Sequence, residues 1–91
     1  MLLCKNVIVR GRRTSMRLDK ETWQSLADIC AREHLSIHEL CSKIDEAKAK
    51  SGLSSATRLF VLSYFRSILD KYENSAFSPN FELNAQEILR K

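Results

Sequence analysis

The feature that most constrains this chain is a run of strict alternation, Arg13-Thr14-Ser15-Met16-Arg17-Leu18, with Arg13, Ser15 and Arg17 on one face and Thr14, Met16 and Leu18 on the other. Period two is the signature of a half-buried strand. The next segment reads as helix. Asp19 is a good N-cap, and Trp23, Leu26, Ala27 and Cys30 fall at i, i+3, i+4 and i+7, predicting a helix over about residues 20–34. Ser36-Ile37-His38-Glu39 has the capping-box form and opens a second apolar stripe, Ile37, Leu40, Cys41 and Ile44, which predicts a helix reaching about residue 50. Ser51-Gly52 stops it. Ser54 is the expected cap of a third helix that runs to about residue 72 and is apolar nearly all round: Leu59, Phe60, Val61, Leu62, Tyr64, Phe65, Ile68, Leu69 and Tyr72. Beyond it, residues 74–81 read as a linker and residues 82–90 as a short helix or a tail.

A strand in a mainly helical chain needs partners for its backbone donors and acceptors. Val7-Ile8-Val9 offers one if Arg10-Gly11 turns the chain back, but arginine is a poor first residue for a tight primed turn. A second copy is the other source. Two such strands paired antiparallel about a two-fold axis would turn Thr14, Met16 and Leu18 toward the helices and Arg13, Ser15 and Arg17 outward. A domain of 91 residues also buries a modest share of its surface, so a third helix without a polar face points the same way. The expected dimer core is Thr14, Met16, Leu18, Trp23, Leu40, Ile44, Leu59, Phe60 and Leu62.

The net charge is +4, and its distribution is uneven: residues 1–20 hold six cations (Lys5, Arg10, Arg12, Arg13, Arg17, Lys20) against the single anion Asp19. A two-stranded ribbon fits the major groove of B-form DNA, where an arginine can bind guanine O6 and N7 in bidentate fashion, worth roughly 1–3 kcal/mol of discrimination. The cationic face of the strand therefore predicts double-stranded DNA as partner, with Arg13, Ser15 and Arg17 reading bases and Lys5, Arg10 and Arg12 on phosphates or simply in solvent.

Residues 7–66 resemble the ribbon-helix-helix family of the Arc and methionine repressors. The resemblance rests on Arg-Thr-Ser-Met-Arg-Leu-Asp, on Trp23 in the first helix, on Leu35-Ser36 at the helix junction, and on Leu-Ser-Ser-Ala-Thr-Arg-Leu-Phe-Val-Leu over residues 53–62. It implies a mainly α fold, a homodimer with an intersubunit two-stranded antiparallel ribbon, base reading from Arg13, Ser15 and Arg17, and repression of transcription. It further implies a phosphate held at a helix N-terminus, here at Ser36 and Ile37. A third helix departs from the usual family unit. Leu53-Ser54 also resembles the start of the family's second helix, which would move that anchor to Ser54 and Ser55. On this basis the chain divides into a basic arm or extra strand (1–12), the ribbon-helix-helix unit with a third helix (13–72), and a linker and tail (73–91).

Other constellations carry less. Cys30, His34, His38 and Cys41 suggest zinc by residue type, yet both cysteines lie in apolar helical stripes, where a free thiol acts as a small hydrophobe. No metal and no cofactor are expected. With glycines only at 11 and 52 no phosphate-cradling loop can form, and no catalytic triad or carboxylate pair has support, so no enzyme is expected. No apolar run is long enough to span a membrane. The opening Met1-Leu2-Leu3-Cys4-Lys5 lacks the features of a secretory signal, and the odd cysteine count suits reduced thiols, so a cytoplasmic protein is expected. The rival function is an antitoxin-like or adaptor module that offers residues 73–91 to a protein partner. Further assembly of dimers along DNA is left open.

Overall fold

The structure is a computed structural model that describes residues 1–74. The chain runs β1 (Leu2–Val9), β2 (Arg12–Asp19), α1 (Lys20–Glu33), α2 (Ile37–Ala47) and α3 (Leu53–Asn74). The expectations placed on the linker and on residues 82–90 lie outside the described residues.

The ribbon expected between two chains forms within one. β1 pairs antiparallel with β2 in a register from Leu2 opposite Asp19 to Val9 opposite Arg12. Arg10 and Gly11 join them, both at positive φ (52° and 83°), as a two-residue primed turn requires. Arginine is locally disfavoured there, and tertiary bonds offset that cost. Its N–H donates to Ser42 Oγ at 2.9 Å, and its guanidinium lies 3.5 Å from the Asp45 carboxylate. The Ile8 N–H likewise donates to His38 Nδ1 at 2.8 Å, so α2 covers the outer edge of β1 next to the turn.

The helices follow from their caps. Asp19 accepts from the Thr22 N–H and hydroxyl and starts α1, which ends at His34 in the left-handed conformation. Ser36 and Glu39 form both halves of the capping box and start α2. Three helical details differ from the sequence reading. In α1 the buried residues are Trp23, Leu26 and Ile29, with Ala27 exposed, because the helix turns its 23–26–29 edge to the sheet. α2 stops at Ala47, where Lys48 turns extended after Ile44, the last residue α2 buries, and so falls short of residue 50. α3 begins at Leu53, placing Ser54 inside its first turn rather than before it.

A single core joins Val7, Val9, Met16 and Leu18 of the hairpin with Trp23, Leu26, Ile29, Leu40, Cys41, Ile44, Phe60 and Tyr64. Buried within it, the Thr57 hydroxyl donates to Met16 Sδ at 3.5 Å. Six of the residues expected to form a dimer core (Met16, Leu18, Trp23, Leu40, Ile44, Phe60) are thus buried inside one chain, Thr14 is half-buried, and Leu59 and Leu62 are exposed. They share the exposed side of α3 with Phe65, Leu69 and Tyr72.

Candidate nucleic-acid interface

In an antiparallel pair, residues alternate between those that exchange backbone bonds with the opposite strand and those whose N–H and C=O point away. Ile8 sends its N–H outward to His38, so Ile8 opposite Arg13 is a pair of the second kind, and so are Asn6 opposite Ser15 and Cys4 opposite Arg17. The backbone groups of Arg13, Ser15 and Arg17 therefore line the free edge of β2. Their side chains share one exposed face of the hairpin with Cys4, Asn6 and Ile8. Arg13 and Arg17 stand roughly 13 Å apart along the strand, and no described acidic side chain forms an ion pair with either.

Between them the Ser15 hydroxyl donates to Asn6 Oδ1 at 2.8 Å. This fixes the Asn6 side chain and leaves its amide N–H groups to face outward. Sequence reasoning missed Asn6. The signal lies in the period-two placement of Cys4, Asn6 and Ile8, which gains meaning only once β1 pairs with β2.

The expected phosphate ligands separate. Lys5 points to the opposite face, its Nζ 5.2 Å from the Trp23 ring centroid, as the pleat requires for the residue opposite Met16. Arg10 is at the hairpin tip beside Asp45. Arg12 faces a recess of about 420 Å³ lined also by Val9, Arg10, Thr14, Asp45 and Leu53, the first residue of α3. Ser36 caps α2, but the Glu39 carboxylate fills the same helix end, and its hydrogen bonds from Ser36 hold it below the usual carboxylate range. At α3 no described side chain accepts from the first turn, and Ser54 and Ser55 lie there beside the Arg12 recess.

Arg58 sits one turn on from Ser54. Its Nη2 donates to the Arg17 carbonyl at 3.3 Å, and its Nε lies 3.8 Å from Asp19. Since Arg58, Leu62, Phe65 and Leu69 fall at i, i+4, i+7 and i+11, the exposed apolar flank of α3 continues directly from the β2 edge.

A family model for the ribbon-helix-helix domain matches residues 2–65. This chain is a ribbon-helix-helix protein. The match takes in β1 as well as β2. No curated protein and no solved structure matches the chain. Ribbon-helix-helix domains in general bind DNA, dimerise and act as regulatory rather than catalytic modules.

Of the cysteines, Cys4 lies on this face, opposite Arg17, while Cys30 and Cys41 belong to the helices. Cys41 is fully buried, and burial pushes its thiol up to about 12, while His38 Nδ1 is engaged by β1. Among the described residues no three His, Cys, Asp or Glu side chains gather as a metal-holding group, and no helix is long and apolar enough to cross a membrane.

Proposed function

We propose that the protein is a homodimeric, sequence-specific DNA-binding regulator, a transcriptional repressor at a short palindromic site. The observation that carries this reading is the free edge of β2, whose residues also hold two guanidinium groups and a hydroxyl outward. Pairing β2 with β2 of a second copy would supply backbone partners at Arg13 and Ser15, whereas at Arg17 the carbonyl already accepts from Arg58. The Leu62–Phe65–Leu69 flank of α3 adds apolar area to the same contact.

The product is a four-stranded sheet with the two β2 strands in the middle. Such a sheet is roughly 14 Å across, slightly more than the ~12 Å major groove. The central strands therefore enter, with Arg13 and Arg17 on guanines and Ser15 between them, while each β1 rides at a groove wall and turns Asn6 inward. Phosphates are held by the α3 N-terminus at Ser54 and Ser55 with Arg12, in preference to Ser36 and Ile37, because a carboxylate already occupies the α2 N-terminus. Lys5 and Arg10 contribute weaker, salt-sensitive attraction.

Selection on randomised duplex, followed by titration of the selected and a scrambled site at several salt concentrations, tests this. Arg17→Ala should cost roughly 1–3 kcal/mol on the selected site and relax preference at one position in each half-site. Equal losses on both duplexes, or binding that ignores salt, would refute base reading from the ribbon.

A further inference from the structure

Asn6 and Ser15 face each other across the hairpin as a pair without backbone bonds between them, the arrangement that brings cross-strand side chains closest, with Cβ atoms roughly 5 Å apart. Both are exposed, on the face that carries Arg13 and Arg17. A hydroxyl has one hydrogen, and Ser15 places its own on Asn6 Oδ1 at 2.8 Å. That bond sets which end of the amide is oxygen and which is nitrogen. Oδ1 keeps a second lone pair, and among the described residues no acceptor takes the Nδ2 hydrogens. Asn6 thus presents an acceptor and a donor side by side, in a plane held by its neighbour.

This pattern complements one base. Adenine shows N7, an acceptor, beside its N6 amino group, a donor, on the major-groove edge, and asparagine meets both in bidentate fashion. Guanine shows two acceptors there. The free Oδ1 lone pair and the Ser15 oxygen, whose only hydrogen is engaged, would face guanine O6 acceptor to acceptor. We infer that Asn6 reads adenine, and that Ser15 is a positioning residue that sets the polarity of the Asn6 amide. The inference rests on the DNA reading above and deepens it, because β1 then adds a base contact to each half-site.

Placement supports the assignment. Arg13 and Arg17 lie two residues to either side of Ser15, roughly 7 Å each way along the strand, so the base met by Asn6 falls between those met by the arginines. Cys4 and Ile8, the other β1 residues on this face, carry no such donor and acceptor couple. A side chain already held in its bound orientation also loses little freedom on contact, which is what the serine contributes.

Selection on randomised duplex with the full chain and its variants tests this. The parent should select adenine at one position per half-site, between the guanines read by Arg13 and Arg17, and guanine placed there should weaken binding roughly ten- to hundredfold. Asn6→Asp replaces the donor with a second acceptor and should switch that position from adenine to cytosine, whose N4 amino group is a donor, leaving the arginine-dependent guanines in place. Ser15→Ala should reduce the adenine preference about fivefold and Ser15→Thr restore it, while unfolding midpoints stay close to the parent's because both side chains are exposed. Guanines that depend on Arg17, with no position responding to Asn6→Asp or with another base than adenine at the position that responds, would overturn this inference and leave the DNA reading standing. A preference lost in Ser15→Ala but kept in Asn6→Asp would make Ser15 the reader and overturn it as well. Selection of no sequence by the parent would refute both readings together.

Discussion

The proposed dimer makes a demand on α3 that can be weighed numerically. Leu62 and Leu69 are 58% and 54% exposed, so each still has about half of its side-chain burial to gain. Full burial of a leucine is worth roughly 1.5–3 kcal/mol, which leaves about 1 kcal/mol per side chain. A two-fold contact counts each residue twice. Leu62→Gln/Leu69→Gln should therefore weaken association by about 4 kcal/mol, close to a thousandfold in Kd, while the monomer keeps its fold because neither residue belongs to the core. Sedimentation equilibrium reads the association, and thermal unfolding at low concentration checks the monomer. Affinity for DNA should fall with dimerisation, since the paired reading strands exist only in the dimer. A variant that unfolds like the parent and associates with unchanged Kd would refute the assignment of this flank to the subunit contact.

Three further predictions concern the scaffold of the ribbon. Gly11→Ala meets no neighbour within 4 Å, so its cost is backbone strain at φ +83°, about 1–2 kcal/mol, read by thermal or urea unfolding; an unchanged midpoint would deny the primed turn. His38→Ala removes the acceptor for the Ile8 N–H and should cost about 1 kcal/mol, with His38→Asn recovering part of it, measured as amide exchange at Ile8; equal protection in both variants would show the bond to be idle. Asp19 is held below the ordinary carboxylate range chiefly by the Thr22 hydroxyl, and Glu39 by its bonds from Ser36. Their folded pKa values lie beneath the unfolded ones, so the stability they lend is complete above the unfolded values, near pH 4, and is lost as pH falls through the folded ones. Urea unfolding from pH 6 to pH 2.5 should show that loss, and Ser36→Ala, itself costing about 1 kcal/mol, should reduce the Glu39 share; a flat profile would contradict the capping geometry.

Local chemistry made much of the fold readable. The strand alternation, the Asp19 cap and the Ser36–Glu39 box are short-range rules, and all of them operate in the folded chain. The hairpin was harder to read, because the local rule against arginine at a primed turn is outvoted by Ser42 and Asp45, which lie more than thirty residues away. Asn6 and the split between Lys5 and the outward arginines were hidden along with the hairpin, since both depend on the β1–β2 register. Arg58 lies within the stretch 53–62 that carries the resemblance, but its place beside Arg17 follows only from how α3 crosses β2.

β1 is stoppered by His38 and Ser42, and that has a bearing on how these molecules can accumulate. A sheet open on both sides can recruit neighbours without limit and grow into fibres. Here the margin of β1 is engaged from within near the turn, at Ile8 and Arg10. In the proposed dimer, joined along Arg13 and Ser15, those same bonds would stand against a third chain adding at that end of the sheet.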